Sequence, residues 1–144
     1  MKIRSGFVSN SSSSSFIVID ADKGYVRPNF PEYLKIDECF GITEFGWDTR
    51  TIKDIESRIT FCFLQARDAG DEHRDLWMKM LEEVIKENTD VKTIEWEIDS
   101  EDGYVDHASS SSEGENIEMF VCKGVLKDFI FGKGSLIEVD NDNH

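Results

Sequence analysis

A serine-rich segment near the N-terminus is the first candidate for a site with chemistry. Five consecutive serines follow Asn10 and lead into the apolar run Phe16-Ile17-Val18-Ile19. Hydroxyls and backbone N–H groups beside a buried strand can bind an anion such as phosphate. No Gly-Lys-Ser/Thr follows, so the segment is not a Walker-type nucleotide loop. A structured arm that docks on a partner and a disordered arm are the alternatives. The candidate binding residues of this segment are Asn10, Ser11, Ser12, Ser13 and Ser14.

The segment Gly103-Tyr104-Val105-Asp106-His107-Ala108-Ser109 is the second candidate. A carboxylate beside an imidazole, with a hydroxyl two residues further on, can polarise the ring or hold a ligand. Adjacent residues rarely face each other, so the segment alone is not a hydrolase triad. A hydrogen-bonded structural histidine is the alternative interpretation. The candidate residues here are Asp106, His107 and Ser109.

Pairs of aspartates follow each of the predicted strands. In a parallel sheet such residues gather at one edge, where their oxygens can bind Mg²⁺. Aspartate also favours strand ends and turns for local reasons, and we predict no metal ion and no cofactor. The pairs are Asp20 with Asp22, Asp99 with Asp102, and Asp140 with Asp142.

Negative charge dominates the composition. The chain has 30 acidic and 16 basic residues, a formal net charge of −14. Between Thr93 and Cys122 there are nine acids and no Lys or Arg. This excess of acids argues against direct nucleic-acid binding, which needs Lys and Arg side chains to neutralise the phosphates. It also argues against docking on anionic membranes. The negative electrostatic field of these acids can instead steer the protein onto a basic partner. The alternative is that the acids only form a solvated surface.

The length indicates a single domain, and the cysteine usage indicates thiols in the reduced state. The 144 residues, 39% of them apolar, suffice for a single domain with one core. We assign it residues 1–144, with a serine-rich arm over 1–15 and a polar tail over 140–144. The three cysteines lack CxxC spacing, which excludes a zinc ribbon or thioredoxin motif; Cys62 and Cys122 are expected to be buried thiols. The longest apolar run near the N-terminus has only four residues, so we predict a cytoplasmic protein.

Hydrophobic periodicity predicts the elements that must position these residues. A first helix runs from Ile52 to Ala66, with Thr51 and Asp54 as its cap. A second contains pairs of apolar residues from Leu76 to Ile85. Alternation over 91–98 predicts a strand with one face in solvent. The remaining elements are a strand over Phe16–Ile19, a possible short helical piece over Tyr33–Phe40, a helix through Ile117, Phe120 and Val125 that begins near Ser112 and Glu115, and a strand over Leu136–Val139.

The order of these elements predicts the fold. Strand, helices, strand, helix and strand indicate a small α/β domain with three or more strands, mostly parallel, and three to four helices. The polar side of 91–98 indicates two layers, or partly three, with Phe16–Ile19 as the central strand. The expected core residues are Ile17, Trp77, Leu81, Ile85, Ile94, Trp96, Ile98 and Phe120.

The two ends of the chain resemble a known group of proteins. Arg4-Ser5-Gly6-Phe7-Val8-Ser9-Asn10, the serine run and Phe16 resemble the opening of small uncharacterised proteins encoded by tailed phages, prophages and some bacteria. The segment from Asp128 to Gly132, with Ser135, Ile137 and Asp140 to Asn143, is similar to their end. Asp106-His107-Ala108-Ser109 resembles their Asp-His-Gln-Ser segment, although Ala108 departs from it. The resemblance implies a phage or prophage origin, with a place in the host cytoplasm, and no particular activity.

The sequence therefore favours a non-catalytic acidic protein that binds a host or phage protein with a basic surface, as an inhibitor or adaptor. One alternative is an enzyme or small-ligand binder acting on a phosphate-bearing molecule, with Asn10 and the serines meeting Asp106 and His107. The third is a virion component. The oligomeric state is not predicted.

Overall fold

The computed structural model of the chain describes residues 2–5, 13–45, 50–98, 104–105 and 118–141. These residues form a mixed α/β fold, the class predicted. The strands are β1 Lys2–Ser5, β2 Ser13–Asp20, β3 Tyr33–Ile36, β4 Glu44–Phe45, β5 Arg50–Ile52, β6 Thr93–Trp96, β7 Tyr104–Val105 and β8 Leu136–Asn141. The helices are α1 Ile55–Arg67, α2 Asp71–Asn88 and α3 Lys123–Phe131, the last preceded by a 3₁₀ turn, Glu118–Phe120.

The larger sheet has the strand order β1-β2-β8-β5, and every pairing in it is antiparallel. Ile17 of β2 lies opposite Ile137 of β8, which lies opposite Ile52 of β5. These three side chains are at most 3% exposed, so they form one buried row across the sheet. β2 is an inner strand, as predicted, and Val18 on its other face is also buried.

The prediction of mostly parallel strands is wrong. β6 and β8 belong to different sheets. Instead β6 pairs in parallel with β3, and β4 pairs in parallel with β7, each as a separate two-stranded sheet. β8 pairs with β2, and the two strands are antiparallel. The expected helical piece over Tyr33–Phe40 is likewise wrong, because β3 occupies Tyr33–Ile36 and a turn follows it.

Helix α1 begins later than predicted. Asp54 is its N-cap and its carboxylate accepts a hydrogen bond from the backbone N–H of Ser57 at 2.9 Å. Thr51 and Ile52 belong to β5 instead, where their β-branched side chains suit a strand. From Ser57 to Ala66 every residue of the helix is buried. It is therefore the central element of the core and not an amphipathic surface helix.

Helix α2 follows the predicted periodicity except at Leu76, which was predicted as part of the apolar side. Leu81 and Ile85 are fully buried and Trp77 is 9% exposed, whereas Leu76 on the opposite side is 58% exposed. The Trp77 ring stacks on Phe120 with centroids 4.7 Å apart and planes 3° apart. The predicted core is confirmed for most of its members. Ile94 and Trp96 are half-buried.

The third predicted helix is interrupted. Glu118–Phe120 form one 3₁₀ turn, and α3 starts only at Lys123 because Cys122 at its N-cap has an extended backbone. The predicted cap at Ser112 and Glu115 lies outside the described residues. Cys122 is exposed, so the expectation of a buried thiol there is wrong, while Cys62 is buried as predicted. The Cys122 side chain is in solvent although the core residues Phe120 and Leu126 lie on either side of it.

Buried polar contacts join the end of α3 to α1 and β2. Arg58, only 3% exposed, donates hydrogen bonds to the carbonyl oxygens of Phe129 at 3.1 Å and Gly132 at 2.8 Å. The hydroxyl of Ser135 accepts from the backbone N–H of Asp20 at 2.9 Å and donates to the carbonyl of Asp128 at 2.6 Å. The turn between α3 and β8 is therefore fixed against both neighbouring elements.

Over the part of the chain that the structure describes, no helix has the length and apolar character needed to cross a bilayer.

Candidate functional site

The candidate residues predicted from the sequence fall into two groups. Ser13 and Ser14 lie in β2, opposite Asn141 and Asp140 of β8. The strand therefore starts before Phe16, and the serine backbone takes part in a sheet ladder. The other candidates, Asn10, Ser11, Ser12, Asp106, His107 and Ser109, lie outside the described residues. Their meeting at a phosphate site, and the ordered arm, stay predictions.

The aspartates expected at one sheet edge are separated by the antiparallel pairing. Asp20 ends β2 opposite Lys2, whereas Asp140 lies near the other end of that strand, opposite Ser14. The Asp20 carboxylate accepts a hydrogen bond from the backbone N–H of Asp22, in a local turn. Within the described ranges no three His, Cys, Asp or Glu side chains gather as a metal site would require. Asp99, Asp102 and Asp142 lie outside those ranges.

Polar side chains gather instead on the outer face of the β3–β6 pair. Leu34 and Ile36 of β3 are buried, so the alternate residues Tyr33 and Lys35 point to solvent. In β6 the same alternation exposes Glu95, and the next exposed residue, Glu97, follows the strand directly. The parallel register sets Lys35 opposite Glu95. We call Tyr33, Lys35, Glu95 and Glu97 the β3–β6 face.

The side chains of the β3–β6 face form a connected polar network. The Glu95 carboxylate interacts with the Tyr33 hydroxyl and with the Glu97 carboxyl. The ammonium of Lys35 lies 3.4 Å from a carboxylate oxygen of Glu97. The backbone N–H of Glu97 donates to the carbonyl of Ile36 at 2.7 Å, which continues the β3–β6 contact one residue beyond the strand. Two interacting carboxyl groups therefore lie on an open surface.

The two acids shift each other's titration in opposite directions. The hydrogen bond with Glu95 raises the pKa of Glu97, and the reciprocal bond, with a further one from Tyr33, lowers the pKa of Glu95. The Glu95 carboxylate also raises the pKa of the Tyr33 hydroxyl, and Glu97 raises that of Lys35. Of the two carboxyl groups, Glu97 therefore loses its proton at the higher pH and Glu95 at the lower.

The β3–β6 face has the groups needed to bind a cationic side chain. An incoming Arg or Lys can pair with both carboxylates. Tyr33, 56% exposed, offers a ring face and hydroxyl beside them. The surface is open, and acid–base catalysis would require a substrate held at defined geometry. The arrangement therefore suits contact with another macromolecule better than turnover of a small substrate.

A polar depression of about 460 Å³ adjoins the start of β3. Its walls include Glu32, Lys92 and Asp90. Lys92 lies 3.5 Å from Glu32, and Asp90 lies 2.8 Å from Arg27. Because acids and bases alternate and pair around it, the depression presents no single charge to a ligand.

Sequence reasoning identified the acidic stretch that contains Glu95 and Glu97 but missed Tyr33 and Lys35. The signal was the alternation Tyr33-Leu34-Lys35-Ile36, typical of a half-buried strand. It was obscured by the prolines and glycines of the surrounding segment. Comparison of the chain with protein-family models, with curated proteins and with solved structures finds no match.

Proposed function

We propose that the protein is a phage- or prophage-type acidic binding protein. It acts without catalysis, in the host cytoplasm, by occupying a basic surface of a host or phage protein as an inhibitor or adaptor. The N-terminal string of Gly-Phe-Val-Ser-Asn and serines supports the origin. The net charge of −14 supports a basic partner and argues against direct contact with nucleic-acid phosphates.

The observation that carries this proposal is the exposed Tyr33 beside the Glu95–Glu97 pair. Tyrosine is enriched at protein interfaces because a rigid ring adds contact area and its hydroxyl can still bond. A tyrosine 56% exposed next to two interacting carboxylates matches the chemistry of an arginine or lysine. Acids on this face also accelerate the encounter with a basic partner.

Site-specific photocrosslinking tests the proposal. A photoreactive phenylalanine analogue replaces Tyr33 in the full chain, and the protein is irradiated in a bacterial lysate. Tyr25, 45% exposed and away from the acid pair, is the matched control position. We expect position 33, but not position 25, to yield an adduct with a protein that has a basic surface.

The dependence of the adduct on salt and on the two carboxylates shows whether charge drives the contact. The adduct should weaken at high salt, which screens exposed charges, and when Glu95→Gln and Glu97→Gln are combined. The paired control is Glu72→Gln with Glu87→Gln, the same charge change on exposed residues of α2. Equal adducts at positions 33 and 25, equal loss with both double variants, or no adduct at position 33 would overturn the proposal.

A further inference from the structure

One long edge of β6 has no strand beside it in the described part of the chain. β6 pairs with β3 in a sheet of two strands. The backbone N–H groups of Thr93 and Glu97 donate hydrogen bonds, at 3.0 and 2.7 Å, to carbonyl oxygens on the β3 side. Because the backbone groups of successive residues in a strand point to opposite sides, those of Ile94 and Trp96 point away from β3. We call this side of the strand the β6 edge.

The backbone groups of the β6 edge are available for pairing. No hydrogen bond between described residues engages the main-chain N–H or C=O of Ile94 or Trp96. A row of such groups is a template for a further strand. The segment from Thr93 to Glu97 contains no proline, glycine or lysine, the residues that commonly block pairing at a strand edge. The β6 edge can therefore accept another extended chain.

The side chains next to the β6 edge alternate between acidic and apolar. Glu95 and Glu97 are exposed on the outer side, where they belong to the β3–β6 face. Ile94 and Trp96 point to the inner side, and both are only half-buried. An added strand would cover the parts of these two apolar side chains that remain exposed.

An apolar groove of about 260 Å³ continues the inner side of the β6 edge. Its lining residues are Phe63, Arg67, Arg74, Met78, Trp96 and Ile98. The indole of Trp96 is fixed there, because its ring stacks on Phe63 with centroids 4.9 Å apart and its N–H donates to Glu82 at 3.0 Å. Arg67 and Arg74 are both engaged within the chain. The apolar wall is thus preformed for an inward side chain of an added strand.

The charges on the outer side determine which strand fits the β6 edge. A strand added there sets alternate side chains next to Glu95 and Glu97, where opposite charges stabilise the pair and like charges destabilise it. A second copy of β6 would bring the same glutamates together, so pairing between two copies is disfavoured. The matching strand carries Arg or Lys on one side and apolar residues on the other.

We infer that the β6 edge binds an extended segment of the partner protein as an added strand. The segment forms backbone hydrogen bonds with Ile94 and Trp96. Its basic side chains pair with Glu95 and Glu97, and its apolar side chains pack against Trp96. In this mode of recognition backbone bonds supply affinity and alternate side chains supply specificity. The inference rests on the function proposed above and deepens it, because it specifies the conformation and the side-chain pattern of the basic partner.

Two synthetic peptides of identical composition test the inference on the intact protein. In the first, arginine and valine alternate over about six residues, the length of an ordinary strand. In the second, the arginines form one block and the valines another. The alternating peptide should bind at least about tenfold more tightly, because it alone presents basic and apolar side chains to opposite sides of the strand. Equal affinities, or no binding of the alternating peptide, would overturn the inference.

Amide hydrogen exchange, measured by NMR, locates the backbone pairing. The N–H groups of Ile94 and Trp96 should exchange about tenfold or more slowly when the alternating peptide is bound. The N–H of Glu97 is the control, because it is already bonded to the carbonyl of Ile36 and should change much less. Unchanged exchange at both Ile94 and Trp96 would contradict strand addition.

Methylation of the peptide backbone separates strand pairing from attraction between charges. One alternating peptide carries N-methyl groups on its valines and another carries them on its arginines, with all charges retained. Only alternate N–H groups of an added strand point towards β6, so one of these peptides should lose binding about tenfold or more and the other should retain it. Equal losses, or no loss with either peptide, would count against the inference.

The glutamates and the photocrosslinking experiment distinguish this inference from the function on which it rests. Glu95→Gln combined with Glu97→Gln should weaken binding of the alternating peptide about threefold to tenfold. If that loss occurs while the exchange of Ile94 and Trp96 stays unchanged, strand addition is wrong and the basic partner is retained. If the peptide pairs with the β6 edge but position 33 yields no adduct, the proposed function fails and strand addition stands. Protection that grows with protein concentration alone would assign the edge to a second copy.

Discussion

The guanidinium of Arg58 donates to the carbonyl oxygen of Gly132 at 2.8 Å, although the two residues are separated by 74 positions in the chain. It also donates to the carbonyls of Phe129 and Lys53. The arginine is therefore bonded to backbone at the end of α3 and at the start of α1. Burial lowers the pKa of Arg58, yet a guanidinium is so weak an acid that the group stays charged at neutral pH.

Arg58→Ala should destabilise the protein strongly. Three carbonyl oxygens would lose a charged donor, and hydrogen bonds to charged groups contribute about 1.5–3 kcal/mol each. We expect a loss of at least about 3 kcal/mol in the free energy of unfolding, measured by urea denaturation. Arg27→Ala is the control: its ion pair with Asp90 is exposed, so the loss should stay below about 1 kcal/mol. Equal losses would show that the buried contacts are not stabilising.

Leu81→Ala and Leu76→Ala compare the two sides of α2 by the same substitution. Leu81 is fully buried, and its truncation leaves a cavity that should cost about 2–5 kcal/mol. Leu76 is 58% exposed, so its truncation should change the free energy of unfolding by about 0.5 kcal/mol. Thermal and urea unfolding measure both. Similar losses for the two variants would contradict the orientation of α2.

Some of this fold is readable from the sequence and some is not. The apolar pairs of α2 predict a helix and the alternation of β6 predicts a strand, because each element has one solvent-exposed face. The start of α1 is ambiguous because Ile52 satisfies helical spacing although it lies in a strand. The strand pairing cannot be read, because the partner of β6 lies in a segment rich in proline and glycine. The same segment supplies Tyr33, so only the acidic half of the β3–β6 face is predictable.

The three cysteines should differ in reactivity. Cys39 and Cys122 are exposed, whereas Cys62 is buried and burial raises the pKa of its thiol well above the ordinary value. A thiol reagent should modify the two exposed cysteines of the folded protein within minutes, because the thiolate is the reactive form. Cys62 should react only after unfolding. Mass spectrometry of peptides locates the adducts, and rapid labelling of Cys62 in native protein would contradict its place in the core.

Gly132→Ala and Gly124→Ala should have opposite effects. A Cβ at Gly132 would contact the carbonyl oxygen of Asp128 and lie 2.7 Å from that of Asp20. Backbone would have to move, at a cost of about 1–3 kcal/mol. At Gly124 in α3 the nearest atom is the Cys122 sulfur, at 3.7 Å. Alanine there should stabilise the helix by up to about 1 kcal/mol. The melting temperature of each variant gives the sign of its stability change. A stabilising Gly132→Ala would refute the close contact between Gly132 and the carbonyl oxygens.

Glu95→Gln should change the titration of Glu97. The bond with the Glu95 carboxylate holds the pKa of Glu97 above its ordinary value of 4.5, so removing that anion should lower it. Carboxyl-carbon NMR measures the shift, and Glu72→Gln on α2 should leave the Glu97 titration unchanged. A Glu97 pKa unaffected by Glu95→Gln would refute the carboxyl pair.

The same pair has a defined consequence for pH dependence. Glu97, with a raised pKa, favours the folded state at low pH, and this contribution is lost as pH rises through its pKa. Glu95, with a lowered pKa, contributes at higher pH and loses its contribution as pH falls. The two trends offset each other in stability. Binding of a basic partner should nevertheless strengthen as pH rises through the Glu97 pKa, because the face then carries both charges; weaker binding at higher pH would count against this role.

The pairing of β2 with β8 determines when this protein can fold. Asp20 and Ser135, which are hydrogen-bonded where these two strands meet, are separated by 115 positions, so β2 is made early and β8 late. Contacts of such long sequence separation close slowly, because the intervening chain must first lose its freedom. On the ribosome the buried helices would therefore have to wait for β8 to emerge. A nascent chain stopped before Leu136 should remain sensitive to protease, and release of the full chain should make it resistant.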